Sequence, residues 1–368
     1  LRREGVYGPL DTLPDSNSAV LWASIYTGLA PAQHGILDFY RVHLAGLSTG
    51  LYPVHRTFFK EAAELLERIG LAHRVAIARK DLAVSPVWEV ADWAGLTVGV
   101  VDGYLYSFPA FAPRTEGGYF LANALEVFAG GLITGQSSAN DLGLYVQPEN
   151  VLVHKELPRG ADFEWQARAT LDLLRARPQP RLLSFYCHEP DTVQHQHWRG
   201  FEPWRYFGAE DEVDAMGGPI TEMHRRFDAF LADLLETLDP DTALFVISDH
   251  GHSPTLLHAM DTQHRHGPPG VFLFYGGPIR EGYRYTPRPV HIYDVMPTVL
   301  YLLGLPVARD MPGRVLEEAL DADLTARRPV RHISSYRPLV PPPATVAGRD
   351  ERANEAEIEK LRRLGYVW

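Results

Sequence analysis

Apolar and polar positions along the chain fall into short β-type runs separated by longer helical stripes. Leu244-Phe-Val-Ile247 is a continuous apolar run, too short and too β-branched for a helix, and it predicts a buried strand. Residues 96–101, 182–186 and 271–275 predict strands in the same way. Residues 57–70 form an amphipathic helical pattern closed by Gly70, and residues 86–93 form a second helix with Pro86 near its start. Residues 163–175 and 293–303 are also helical. Over residues 219–238, Met223, Phe227, Phe230, Leu231 and Leu234 recur at helical spacing and predict a core-facing stripe. Near the start, residues 1–8 read as the tail of a helix entering a strand. Ser16, Asn17 and Ser18 then offer capping side chains for a helix over residues 19–26, ended by Thr27-Gly28, with Pro31, His34 and Gly35 in a loop beyond it.

Strands alternating with helices imply an α/β fold, with a mostly parallel sheet covered by helices on both faces. Residues 102–160, rich in Gly, Ser, Asn and Tyr, read as an excursion outside the sheet that caps the site. The expected organisation is one α/β domain over residues 1–335 with insertions at about 36–85 and 102–160. A Pro-rich linker (residues 337–343) and a terminal helix (355–364) make up a separate 336–368 segment.

The 368 residues, 45% hydrophobic and 22% charged, are enough for a large core. The net charge of -11 argues against nucleic acid or an anionic membrane as a bulk partner. A small anionic substrate would need local positive charge, most simply a metal ion. Cys187 is the only cysteine, which excludes an intramolecular disulfide and a thiolate zinc cage. No apolar run approaches transmembrane length, and no signal peptide is visible. The sequence opens on Leu1 without an initiator Met, and the expectation is that residues are missing upstream. Subcellular location and oligomeric state are left open.

The candidate chemistry lies at strand ends, where open α/β sheets bind ligands. Asp249 and His250 follow the 244–247 run and offer a carboxylate oxygen and an imidazole nitrogen to a zinc-like ion. Asp191 and His195, just after the 182–186 run, are four apart, so one helix face would carry both. His197 would point elsewhere. His264 or His266, before the 271–275 run, is a candidate third ligand for Asp191 and His195; a solvated loop histidine is the plainer reading of either. Ser18 at a helix start is either a cap or a nucleophile activated by a metal. Two adjacent metals can bind both the attacking and the leaving oxygen of a phosphoryl displacement.

These motifs, in this order, resemble the type I phosphodiesterase/nucleotide pyrophosphatase family of the alkaline phosphatase superfamily. Ser18-Ala-Val-Leu-Trp-Ala-Ser-Ile-Tyr-Thr-Gly-Leu-Ala-Pro-Ala-Gln-His-Gly-Ile is similar to the nucleophile segment, with Ser18 nine residues before Thr27-Gly28. Asp191-Thr-Val-Gln-His195 with Trp198 resembles the first ligand pair, and Ser248-Asp-His-Gly-His resembles the second. His264-Arg-His-Gly-Pro-Pro-Gly270 resembles the late-histidine motif, where His264 is favoured over His266. The resemblance implies an alkaline-phosphatase-like fold and two divalent metals, zinc or manganese. One metal would be held by Asp191, His195 and His264, the other by Asp249, His250 and Ser18. The second site in the family takes a further Asp, on a strand upstream of the point where this sequence opens. The implied reaction is cleavage of a phosphodiester or pyrophosphate bond through a phosphorylated Ser18, with Asn17 either donating to a phosphoryl oxygen or serving only the turn. Phosphomonoester and phosphonate substrates stay open, as does a non-catalytic binding role. A sulfatase is disfavoured, because Ser18 is followed by Ala-Val-Leu-Trp rather than a Ser-x-Pro-x-Arg sequence. Tyr104, Tyr106, Phe108 and Phe111 would either stack on a base or belong to the core.

Overall fold

The computed structural model describes the chain except residues 48–49, 53–56, 105–112, 122–143, 147–150, 155–162, 177, 207–217, 256–261, 264–266, 284, 286–287, 338–353, 356–357, 360 and 363–368. His264, His266, Tyr106, Phe108, Phe111 and most of the Pro-rich linker therefore lie outside the described residues.

Leu1–Glu4 make a helical turn, with the N–H groups of Glu4 and Gly5 donating to Leu1 O. The chain then enters β1 (Val6–Asp11), as the sequence implies. α1 (Ser18–Thr27) follows, then a single turn, α2 (Pro31–His34), where a loop was expected. Pro31 presets the first helical φ, and Gly35 at φ 85° stops the turn after one revolution. β2 (Tyr40–Leu44) and β3 (Ala72–Ala76) pair antiparallel around α3 (Thr57–Arg68). α4 (Val87–Trp93) leads to β4 (Val98–Val101).

The stretch read as an excursion outside the sheet instead supplies strands: β5 (Tyr119–Leu121), β6 (Leu144–Val146) and β7 (Val151–His154). Gly117 at φ 82° turns the chain back, and Gly99 leaves room for the Tyr119 ring, whose Cζ would lie 2.6 Å from any Cβ there. Tyr119, Phe120 and Leu121 are then fully buried against β4. α5 (Phe163–Ala176), β8 (Leu182–Phe185), α6 (Glu189–Phe201), α7 (Gly218–Thr237) and β9 (Leu244–Ile247) follow close to their expected positions. A short ladder of β10 (Ser253–Pro254) with β11 (Thr262–Gln263) precedes β12 (Gly270–Tyr275), β13 (Val290–His291) and α8 (Ile292–Leu302).

The strands form two principal sheets. One has the order β6-β7-β5-β4-β8 and is parallel except at β6·β7. The other has the order β13-β1-β12-β9 and is mixed: β1 is parallel to β13, and β12 is antiparallel to both β1 and β9. The reason is the connection: the β10–β11 ladder turns the chain back between β9 and β12, where a parallel neighbour needs a long crossover. The mixed α/β architecture otherwise stands. Among the described residues of the terminal segment, Ile358 and Leu361 are buried in the main core, and the Asn354 side chain bonds the β3 backbone at Arg74 O and Ala76 N.

α1 carries little amphipathic pattern because nearly all of it is interior: every residue but Trp22 is buried. Each buried Leu or Ile there contributes about 1.5–3 kcal/mol. The helix packs along α8, so its amino end is held as rigidly as the core itself.

Candidate active site

Ser18 is the first residue of α1, and Asn17 caps the helix, its Oδ1 accepting from Val20 N at 3.3 Å. The Asn17 amide also donates to Asp38 Oδ1 at 2.9 Å, which ties it to the turn, the plainer of its two expected roles. A second bond steadies α1 from behind. His34, fully buried, lies with Nε2 3.0 Å from Ser24 Oγ, while Ile36 N–H donates to its Nδ1 at 3.2 Å. Burial lowers the His34 pKa to about 3, so the ring that bonds Ser24 is neutral near neutral pH.

Ser18 Oγ lies 3.0 Å from His250 Nε2, and both residues are buried. His250 Nδ1 is 3.1 Å from Gly251 O, where Nδ1–H donates and leaves the Nε2 lone pair facing Ser18. Asp249 Oδ2 is 3.5 Å from His250 Nε2. That oxygen is buried without a hydrogen bond among the described residues, and desolvation raises the Asp249 pKa. From the other sheet, Asp191 on the first turn of α6 reaches the same point, its Oδ1 lying 3.9 Å from His250 Nε2 and 3.6 Å from His195 Nε2. The four-residue spacing on a helix does what the sequence implied.

His252 was quoted with its motif but given no role in the sequence reading. Its Nε2 is 3.2 Å from Asp191 Oδ1, and the ligand atoms of Asp191, His195 and His252 all lie within 4.8 Å of one another. Trp198, one turn beyond His195 on the same face of α6, stacks on the His252 ring at 5.7 Å. The available signal was alternation: two residues after His250, an extended backbone returns a side chain to the same side. His188 also joins, bonded through Nδ1 to Tyr186 OH at 2.8 Å, with Nε2 4.0 Å from Asp191 Oδ2. Tyr104 is buried against Tyr186 and His188, which is the core reading of that aromatic. Burial pushes the nearby Cys187 thiol up to about 12, which removes it as a competing nucleophile.

The site is thus an acidic and imidazole cluster at the ends of β8 and β9, facing a hydroxyl at a helix amino end. A family model, "Type I phosphodiesterase / nucleotide pyrophosphatase", matches residues 1–270. The chain belongs to the type I phosphodiesterase/nucleotide pyrophosphatase family. It is accordingly a hydrolase of phosphoric esters within the alkaline phosphatase superfamily. Among solved structures, murine ectonucleotide pyrophosphatase/phosphodiesterase 5 is similar at 12% identity and a TM-score of 0.53, over 87% of this chain and 93% of that one. An inactive form of the murine protein in complex with AMP gives 12% and 0.52, over 86% and 91%. The human protein gives 12% and 0.50, over 87% and 93%. At this identity the likeness speaks for the fold, and it supports the alkaline-phosphatase-like arrangement of this family member. No curated protein sequence matches the chain.

Proposed function

We propose that this family member cleaves a phosphodiester or pyrophosphate bond, with Ser18 as nucleophile and two divalent cations as cofactors. The observation that carries the reading is the 3.0 Å approach of Ser18 Oγ to His250 Nε2, beside the unbonded Asp249 Oδ2. These three atoms are lone-pair donors that converge in a buried place, which fits one cation. Asp191, His195 and His252 form a second donor set within 4.8 Å, which fits another; the expected His264 or His266 lies outside the described residues. Donors of oxygen and imidazole type accept zinc or manganese. Bound there, the cations would lower the pKa of the Ser18 hydroxyl and neutralise charge on the phosphoryl oxygens.

The chain's own residues supply orientation. Asn17 and Asp38 hold the start of α1, so Ser18 presents Oγ to phosphorus with little rotational freedom. Ser18 Oγ forms a bond to phosphorus as the bond to the leaving oxygen breaks. Water then attacks the Ser18 phosphoester, releases the product and restores the hydroxyl. The helix amino end favours the anionic group throughout. The AMP complex of the murine relative supports a nucleotide-like substrate for this chain as well.

The test is turnover of bis-p-nitrophenyl phosphate together with metal content, measured on the purified protein and on Ser18→Ala. The variant is expected to lose turnover by at least about 1,000-fold while keeping its metal. A phosphorylated Ser18 peptide should be recovered by mass spectrometry after acid quenching. Full activity in Ser18→Ala would refute Ser18 as nucleophile, and absence of both metal and turnover in the parent would refute the enzymatic reading.

A further inference from the structure

His252 stands between two sets of donors. Its ring lies 4.7 Å from the ring of His195 and 5.4 Å from that of His250, edge-on to both. His195 belongs with Asp191, whereas His250 faces Ser18. The plane of the His252 ring therefore decides which set its Nε2 serves. The torsion that sets this plane joins a tetrahedral carbon to a planar one, and such torsions are broad, with no narrow well of their own. Yet the structure shows one definite outcome, with Nε2 3.2 Å from Asp191 Oδ1.

The indole of Trp198 selects that outcome. It stacks on the His252 ring at 5.7 Å with the planes 24° apart, inside the range of about 4.5–7 Å typical of aromatic pairs. A face laid on a face removes the rotation that the bare torsion allows. The indole is itself held. Its Nε1–H donates to Glu202 Oε2 at 3.0 Å, and the same carboxylate oxygen pairs with Arg205 Nε at 2.6 Å. Glu202 N–H donates to Trp198 O at 2.9 Å, so the end of α6 closes on this residue through the backbone as well. Pro203 follows, where the helix has stopped. Phe201 meets the indole edge-on at 5.6 Å.

Core packing does not account for this arrangement. Trp198 is half-buried and belongs to none of the three hydrophobic clusters of the described residues. A half-buried indole N–H can bond water; here a carboxylate backed by a guanidinium holds it instead. The spacing is functional in the same sense. Asp191, His195, Trp198 and Glu202 fall four, three and four residues apart, along one face of α6 and its cap. That face carries two metal donors, then the ring that aims a third, then the carboxylate that fixes the ring.

We propose that Trp198 is a positioning residue of the metal site. Stacked on His252 and fixed by Glu202 and Arg205, it assigns the imidazole to Asp191 and His195 and withholds it from Ser18 and His250. Its role in metal binding rests on the two-cation reading given above; the aiming of His252 does not.

The experiment removes the stacking face while retaining apolar bulk. Zinc affinity is measured by competition with a chromophoric chelator. The parent is expected to hold two zinc ions per chain, and Trp198→Leu to bind one of them about 10–100-fold more weakly while the other is unchanged. Trp198→Phe keeps a ring face and is expected to recover most of that loss. Glu202→Ala, which releases the indole, is expected to weaken the same ion, and Glu202→Gln, which still accepts the indole N–H, to weaken it less. With cobalt in place of zinc, the visible band of one ion is expected to change in Trp198→Leu. Unchanged affinity in Trp198→Leu, or equal weakening of both ions, would overturn the proposal. A second readout needs no metal. In the metal-free protein, the histidine ring resonance that disappears in His252→Gln is expected upfield in the parent, shifted by the indole ring current, and at an ordinary position in Trp198→Leu. An ordinary position in the parent would overturn the proposal. A parent that binds no zinc would refute the two-cation reading, and the ring resonance alone would then decide whether Trp198 aims His252.

Discussion

His34 ties the pH dependence of stability to the helix that carries Ser18. Its ring is fully buried, Ile36 N–H donates to Nδ1, and Nε2–H donates to Ser24 Oγ. A second proton would have to go on Nδ1, against an N–H already pointing there, and would be charged without solvent. Burial accordingly lowers the folded-state pKa to about 3 from 6.5. Above pH 6.5 both the folded and unfolded states hold a neutral ring, and no stability is lost. Between pH 6.5 and pH 3 the unfolded chain takes up a proton that the folded chain refuses, so stability falls as pH falls. The slope is about 1.4 kcal/mol per pH unit, which reaches about 5 kcal/mol at the lower end as an order of magnitude. That is comparable with the whole stability of many domains. Urea unfolding at pH 7.5, 6.0, 5.0 and 4.5 on the parent and on His34→Gln measures it. The variant is expected to be less stable at pH 7.5, yet to lose stability with acid less steeply by nearly one proton. The two proteins share every other side chain, so the difference between their slopes reports residue 34 alone. Equal slopes would refute the argument that His34 stays neutral in the fold.

Other outcomes follow from single contacts. Arg79 and Glu89 form a buried two-bond ion pair at 2.5 Å; Arg79→Met should cost about 3–5 kcal/mol by urea unfolding, and Arg79→Met with Glu89→Leu should recover much of it. A Cβ on Gly270 would sit 1.9 Å from Ser248 O, next to Asp249; Gly270→Ala should lower stability by about 1–3 kcal/mol or more and reduce kcat, while Gly218→Ala, with open space around it, should do neither. Asp191→Asn, at the meeting point of three histidines, should weaken metal binding by more than about 100-fold, read by metal analysis after dialysis against graded chelator.

The legible parts of this molecule are those fixed over a few residues. The apolar run before Asp249 could only be a strand, and the four-residue step from Asp191 to His195 is helical geometry. α1 was legible through its capping residues, its apolar spacing and the closing Gly28, but the buried side of it was not, since a helix buried on almost every side shows no single stripe. What escaped depends on distant partners. Tyr119-Phe120-Leu121 is too short to announce itself, and becomes a strand because Gly99 admits the Tyr119 ring. The reversal of β12 is set by the β10–β11 ladder, two residues on each side, which no periodicity reveals. His252 is an ordinary histidine until α6 brings Asp191 beside it.

The pairing of β1 with β12 has a consequence for how the protein is made. Val6 lies opposite Phe274, so the ladder that closes around α1 joins segments roughly 270 residues apart in the chain. Translation proceeds at roughly 5–20 residues per second, so β1 emerges and waits on the order of 15–50 seconds for its partner. Throughout that interval α1, which the finished fold buries on almost every side, is exposed on the ribosome. Synonymous changes that alter elongation speed, or depletion of chaperones that hold nascent chains, should therefore reduce the yield of soluble protein without touching a single residue of the finished site.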